Sequence, residues 1–569
     1  MSCGSRRKEK SIEADSTASF AVKGEKVETF IRLEKAAKEY GKSRILEDIN
    51  LDIRSGEAVV FTGTNGVGKS TILKMIGGLI APSGGKIHRK KGLLYHMVPE
   101  RFPKSNLTAR QYICAVGKIE GLRREEIQKK SADLFERFHM SGMEDKPMKL
   151  LSKGTLQKVG VIQAVLKRPD ILLLDEPLSG QDAASQAVFV ELVNALKREG
   201  TALIISCHEE FLVNAVGDTV CRIEGGKMHT VRLERGKQKR KALITFEAPG
   251  DRTAPELPVT GEAIPGGLRF ISSYESSNEV VAKMIREGFR LEDFTLVGEE
   301  PVLAGEREGN GGTLQELELR ENEMEKQRGS VWGMLSYEFR TYFKTNRFAM
   351  PFLVLMVFLF SLYSSMPVGV TDSFTISCNL LFLLMTWAGL SYNEMQQAAE
   401  EQMMILRLQS ETIYYFGQSL FLCLLGGIFT LVSLLIPLVL DAVNGGQLFS
   451  MGILLQDAAG GLLFMWAGAF LGSSLGTLLH PRVMKDRKAA VVLTVLIAVL
   501  AIGKTAILQD ASWVGWVLYL LPPISDVTGV FAGTLHFTLK DTAFAAGMCI
   551  LYGGILTAVR IWGLEKRKF

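Results

Sequence analysis

The chain has 569 residues, of which 22% are charged and 47% hydrophobic, and a formal net charge of +5. That length exceeds what one compact core serves, so two or more domains are expected, and so small a charge excludes a nucleic-acid binder held by electrostatics. The seven cysteines (Cys3, Cys114, Cys207, Cys221, Cys378, Cys423, Cys549) are odd in number and lack close-spaced pairs, which argues against a disulfide framework or zinc site and fits a reducing cytosol.

Residues 1–27 are polar and hold no apolar run, so they read as a disordered tail without a cleavable signal. From 28 to 235 short β-rich apolar runs alternate with helical patterns, which predicts an α/β fold. Ala58–Phe61, Ile171–Leu174 and Ala202–Ile205 have the continuous hydrophobicity of buried parallel strands. Over 236–325 Pro, Gly and Glu become common, which predicts a small α+β appendage ending in a charged helix at 314–328. Its basic run, Lys237, Lys239, Arg240 and Lys241, reads as a solvated domain junction. Residues 326–347 form a connector. There Tyr337, Phe339, Tyr342 and Phe343 mix with Arg340, Lys344 and Arg347, the makeup of an amphipathic helix at a membrane interface.

Residues 348–569 carry long runs of apolar residues, each near the roughly 20 that a hydrocarbon core requires. Candidate spans fall near 349–366, 374–392, 414–440, 452–478, 489–508 and 544–563, which predicts an all-α transmembrane domain of about six helices. Arg407, then Arg482, Lys485, Arg487 and Lys488, then Lys566, Arg567 and Lys568 fall in alternate connections and at the C-terminus, while 364–372 and 441–450 contain no Lys or Arg. The positive-inside rule therefore places the first half and the C-terminus in the cytoplasm. The fifth span holds one charge, Lys504, expected to snorkel outward, and no charge pair is expected inside the bilayer. The segment 516–530, with Pro522 and Pro523, is too short and broken to span and reads as a re-entrant hairpin. Gly468, Gly472 and Gly476 share one face of the fourth span and suit close helix packing. Asn379, Thr386 and Trp387 on the second span are candidates for a cargo cavity, although helix-packing contacts explain the same residues.

The strongest local signal is Gly63-Thr64-Asn65-Gly66-Val67-Gly68-Lys69-Ser70-Thr71, which follows a strand and opens a helix as a P-loop does. Its glycines let backbone N–H groups converge on phosphate oxygens, Lys69 can reach the β- and γ-phosphates, and Ser70 can ligate Mg²⁺. A second strand delivers Asp175 and Glu176 to its end. Asp175 is suited to holding Mg²⁺ and Glu176 to polarising an attacking water.

Together these residues resemble the ATP-binding-cassette (ABC) superfamily. Leu151-Ser152-Lys153-Gly154-Thr155-Leu156-Gln157-Lys158 is similar to the ABC signature, with Lys153 and Thr155 where Gly and Gln are usual. The resemblance implies that Ser152 and Gly154 cap the γ-phosphate held by a second cassette. Ser179-Gly180-Gln181-Asp182 looks like the D-loop, with Asp182 at the ATP interface and Gln181 in place of leucine. His208 matches the switch histidine, Tyr40 resembles the aromatic that stacks on adenine, and Glu100 stands where a glutamine normally contacts Mg²⁺. The nucleotide set is then Tyr40, Gly63, Asn65, Gly66, Gly68, Lys69, Ser70, Thr71, Glu100, Ser152, Gly154, Asp175 and Asp182. Lys69, Glu176 and His208 would carry the chemistry, and Ser70, Asp175 and Glu100 the metal.

Cassette followed by spans resembles half-transporters of the type-2 ABC exporter class. That implies an ATPase with Mg²⁺, a homodimer in a bacterial plasma membrane among its lipids, and a loop at 394–412 that rests on the cassette as a coupling helix. The favoured cargo is amphipathic or hydrophobic: a peptide, an antibiotic-like compound or a lipid-linked molecule. Export of a cell-envelope glycan, and a non-transporting membrane ATPase acting as a sensor, remain as alternatives.

Overall fold

The computed structural model describes residues 28–233, 241–247, 261–264, 267–286, 288–297, 331–510, 513 and 515–569. The tail at 1–27, the basic residues Lys237, Lys239 and Arg240, and the charged helix expected at 314–328 lie outside the described residues.

The first unit opens with β1 (Thr29–Tyr40), β2 (Ser43–Arg54), β3 (Ala58–Thr62), α1 (Lys69–Ile76), β4 (Gly84–Arg89) and β5 (Tyr95–Val98). Three helices follow, α2 (Ala109–Ile119), α3 (Arg124–Arg137) and α4 (Lys153–Val165). The unit closes with β6 (Ile171–Asp175), α5 (Ala183–Arg198), β7 (Ala202–Ser206), α6 (Glu210–Val216), β8 (Thr219–Glu224) and β9 (Lys227–Arg232). One sheet runs β2-β1-β4 and is antiparallel; the other runs β5-β6-β7-β3-β8-β9 and is parallel except at β9. β3, β6 and β7 bury nearly every side chain, because a parallel sheet covered on both faces needs both alternating sets apolar. Their carboxyl ends meet the start of α1, where polar residues collect beyond the apolar runs.

The appendage is a four-stranded antiparallel sheet, order β11-β12-β10-β13, built from β10 (Lys241–Glu247), β11 (Gly261–Ile264), β12 (Gly267–Ser273) and β13 (Arg290–Val297), with α7 (Tyr274–Arg286). Ile244, Phe246, Phe270, Val280, Met284 and Phe289 fill its core. The Phe211 and Phe294 rings meet edge to face at 5.2 Å, joining it to α6.

The last unit comprises α8 (Val331–Lys344), α9 (Ala349–Leu362), α10 (Val370–Met395), α11 (Ala398–Leu408), α12 (Glu411–Val443), α13 (Leu455–Leu478), α14 (Arg487–Asp510), α15 (Gly515–Leu518), α16 (Ile524–Gly529) and α17 (Leu539–Lys566). Among the described residues, five helices (α10, α12, α13, α14 and α17) are long and apolar enough to cross a membrane. The sixth expected span differs: α9 has only 14 residues and joins α8 at a bend of 75°. At 1.5 Å per residue it covers about 21 Å, short of a hydrocarbon core of about 30 Å. The break falls at Asn346, whose φ of 57° suits a helix terminus rather than its interior.

Two sequence readings are corrected here, both at Lys504, and the packing of two further features is settled. The connector packs on protein along one side: Tyr337 and Tyr342 are buried, a Cβ on Gly333 would sit 2.8 Å from Ile119 Cα, and α8 is wedged between α2 and α12, while Trp332 and Phe343 stay exposed. Lys504 does not snorkel; its side chain is 3% exposed and bonds to Asp526 of α16 at 2.5 Å, under the Tyr519 ring. An ion pair therefore does occur among the apolar helices, because the re-entrant segment supplies a carboxylate from a distant part of the chain. Of the two explanations given for Thr386, helix packing is the one that holds: its hydroxyl donates to Phe382 O at 2.8 Å and to Gly472 O at 3.1 Å.

The glycine face of α13 does pack closely. A Cβ on Gly472 would lie 2.2 Å from Phe382 O, and one on Gly476 2.2 Å from Thr386 O. Backbones this close admit no side chain without the helices separating. Gly472→Val should therefore cost about 3 kcal/mol, the upper end of overpacking penalties, read as a lowered unfolding temperature in detergent. Gly547→Ala, where nothing lies within 4 Å, should leave that temperature almost unchanged.

Candidate ATP site

The loop between β3 and α1 is shaped by its glycines. Gly63 and Gly68 have φ of 138° and 114°, and a Cβ on Gly63 would lie 2.6 Å from Ile223 O. Only glycine occupies that backbone without strain, and the resulting curve turns successive N–H groups inward. Lys69 stands at the first turn of α1 with its ammonium buried, donating to Gly63 O at 2.8 Å and to Thr64 O at 3.4 Å.

A cavity of ≈ 490 Å³ opens over this loop, lined by Asn65, Gly66, Gly68, Lys69, Ser70, Thr71, Glu100, Glu176, Ser179 and His208. Behind it, Ser70 Oγ donates to Asp175 Oδ1 at 3.0 Å and Ser206 Oγ donates to the same oxygen at 2.5 Å. Asp175 is buried. A hydroxyl and a carboxylate, with Glu100 on the wall, are hard oxygen donors of the kind Mg²⁺ prefers, and that ion keeps several waters rather than demanding a full protein cage. The donor set fits the ion. Among the described residues no group of three or more His, Cys, Asp or Glu forms a metal centre.

Glu176 follows β6 at φ 49°, a left-handed conformation unfavourable for a residue with a side chain. It is held there because its N–H donates to Ser206 O at 3.0 Å and to Ser206 Oγ at 3.2 Å. Its Oε1 lies 3.0 Å from His208 Nε2 and 3.7 Å from Lys69 Nζ. Burial pushes its carboxyl above the usual range, against the opposing pull of His208 and Lys69. His208 Nε2 also lies 2.7 Å from Asn65 Oδ1 and 2.9 Å from Lys69 Nζ. One ring nitrogen cannot serve an amide oxygen, a carboxylate and an ammonium at once, so this histidine has competing partners.

Four of the site residues anticipated from sequence stand apart from the cavity lining. Tyr40 closes β1, is 48% exposed, and carries the Lys38 ammonium 5.1 Å from its ring centre. Ser152 caps α4, its hydroxyl accepting from Thr155 N at 3.2 Å, with Gly154 beside it; a Cβ on Gly154 would collide with Gly180 O at 1.9 Å. Asp182 caps α5 and accepts from Lys158 Nζ at 2.8 Å. Although burial opposes it, the bonds from Lys158 and Ser185 hold the Asp182 carboxyl down at about 2. Gly63 and Asp175 sit just beneath the lining. Sequence reasoning missed Ser206, the group that fixes both Asp175 and Glu176; its only signal was a hydroxyl at the end of the strand leading to His208.

The ABC transporter family profile matches residues 46–179. Over 193 residues the chain is 35% identical to the zinc import ATP-binding protein ZnuC of Yersinia enterocolitica, covering 34% of this chain and 75% of that protein. It is 33% identical over 199 residues to the ABC transporter ATP-binding protein NatA of Bacillus subtilis, covering 32% and 80%. A third relative, the uncharacterized ABC transporter ATP-binding protein YhaQ of Bacillus subtilis, is 30% identical over 293 residues, covering 48% of this chain and 95% of its own. The chain belongs to the ABC transporter ATP-binding family, as an ATP-hydrolysing cassette joined on one polypeptide to a membrane region of apolar helices.

Proposed function

We propose that two copies of this chain form an exporter in a bacterial plasma membrane, with the cassettes and C-termini in the cytoplasm. The observation that carries the reading is the seating of α11. Met403, Met404, Ile405, Leu406 and Leu408 are buried within the cassette's own hydrophobic core, and Arg407 reaches Glu120 and Gln163 there. A helix between two membrane spans is thus fastened to α4, which starts at the signature-like Ser152, and beside β5, which leads to Glu100. ATP-driven movement of the cassette would be passed directly to α10 and α12. The zinc import ATP-binding protein named above matches the cassette alone and bears on neither direction nor cargo. An amphipathic or hydrophobic cargo fits the apolar helices.

Ser152 and Gly154 lie outside this chain's own cavity, which fits a role at the ATP held by a second copy. Within one cavity, Lys69 and the start of α1 would bind the phosphates, Tyr40 would meet the base, and Ser70, Asp175 and Glu100 would hold Mg²⁺. Bound there, the ion supplies charge neutralisation of the phosphate oxygens. Glu176 would accept the proton of the attacking water, while His208 leaves its competing partners to donate to the γ-phosphate.

Purified protein in lipid nanodiscs should hydrolyse ATP cooperatively. Glu176→Gln should lower kcat by about 10²- to 10⁴-fold; an active variant would remove Glu176 from the role of base. Because only ionised Glu176 serves, and its pKa is raised, the acid limb of the kcat profile should fall at a higher pH than the 4.3 or so of an ordinary glutamate. Lys69→Met should weaken ATP binding by about 100-fold, equivalent to about 2.7 kcal/mol, measured by titration with a fluorescent nucleotide.

A further inference from the structure

α11 is not the sole bridge to the cassette. The loop between α13 and α14 carries Arg482, whose side chain is 12% exposed and touches three elements at once. Its Nη1 donates to Glu401 Oε1 of α11 at 3.1 Å and meets the hydroxyl of Tyr415 on α12, which itself donates to Glu401 at 2.6 Å. Its Nη2 donates to Leu564 O at 3.0 Å and to Arg567 O at 2.7 Å, at the end of α17. The Phe569 ring centre lies 3.9 Å from the guanidinium carbon, and Arg567 returns a bond to Val483 O at 2.5 Å.

From this clamp the chain continues onto the cassette. Leu564 is fully buried in the hydrophobic cluster that runs from the cassette core through α11 to the start of α12, with Ile561 and Phe569 packed against that cluster. Lys568 Nζ donates to Gly78 O at 3.3 Å and faces Glu411 at 3.6 Å. Gly78 lies just past the end of α1, whose first residue is Lys69. Leu406 of α11 approaches the same end, 3.4 Å from where a Cβ on Gly77 would be.

We propose that residues 564–569, locked by Arg482, form a second coupling contact, joining the last membrane helix to the C-terminal end of the P-loop helix. The inference rests on the ATP-driven transporter reading. A guanidinium presents donors in a rigid fork, so Arg482 binds a carboxylate and two carbonyls together while stacking on a ring, which a lysine ammonium cannot do. Its charge also suits the carbonyl end of α17. α1 is a rigid rod of about 12 Å. A shift at its phosphate-facing end reaches both Leu406 and Lys568, so α17 moves with α11 instead of sliding past it.

Amide hydrogen exchange on the full chain in nanodiscs, with and without a non-hydrolysable ATP analogue, tests this. The analogue should protect the P-loop and change exchange over 479–486 and 560–567 by about threefold or more. Arg482→Ala should abolish the response at 560–567 while P-loop protection persists, and Arg482→Lys should restore it only in part. Lys568→Ala, at an exposed side chain, should reproduce the loss if Arg482→Ala folds poorly. In ATP hydrolysis, Arg482→Ala should keep its KM and lose kcat. A protected P-loop with an unresponsive 560–567 in the native chain overturns the inference, as does an equal response in all the variants. An unprotected P-loop would instead overturn the ATP reading, and this inference with it.

Discussion

The seat of α11 in the cassette depends on one buried cation. Arg407 is 1% exposed, and its partners Glu120 and Gln163 are equally enclosed. Burial pulls its guanidinium down to about 10, still well above neutral pH, so it enters the cassette charged. A buried pair of this kind adds little net stability compared with apolar packing, but removing one member strands the other at a cost of about 3–5 kcal/mol. Its effect is therefore on register. Met403, Met404, Ile405 and Leu406 could slide within an apolar groove, whereas a guanidinium has one place where its donors are met. α11 is consequently held to one seat, between the strand that ends near Glu100 and the helix that starts at Ser152.

A second constraint acts at the pocket. Glu176 is kept at an unfavourable φ by two bonds to Ser206, and Ser206 in turn donates to Asp175. One hydroxyl thus holds the Asp175 carboxylate and the Glu176 backbone, so the two residues are fixed to the same point. The arrangement stores local strain where a carboxylate faces Lys69 and His208, which is where preorganisation matters most.

What the sequence disclosed followed from the range of each interaction. The P-loop, the Asp175-Glu176 strand end and the glycine face of α13 are written in contiguous residues or a helical period, and all three stand in the structure as read. The spans were legible because twenty apolar residues have few other uses. The readings that failed needed a partner far along the chain. Lys504 looked isolated until α16 brought Asp526 to it, and cavity and packing stood open for Thr386 until Gly472 O came within its reach. The connector is amphipathic as expected; its Tyr337 and Tyr342 meet Tyr112 and Phe421, while Trp332 and Phe343 stay exposed. Periodicity reveals that a face is apolar; it does not reveal what covers it.

The same reasoning separates the residues of the site by distance from the phosphate loop. Asn65 to Thr71, Glu100, Glu176 and His208 converge within one chain because the sheet brings their strand ends together. Ser152, Gly154 and Asp182 do not converge: two of them cap helices, and Gly154 is pressed against Gly180. Lys153 donates to Ser179 at 2.8 Å and Lys158 to Asp182 at 2.8 Å, so the signature-like segment and the D-loop-like segment form one unit. Ser179 lines the cavity, whereas Ser152 and Asp182 are exposed and outside its lining. A group that closes over a second phosphate must be rigid before that phosphate arrives, or its ordering cost is subtracted from binding. In the proposed two-copy assembly the Lys153–Ser179 and Lys158–Asp182 bonds would meet that requirement, and would make whatever Ser152 touches sensitive to what Ser179 feels.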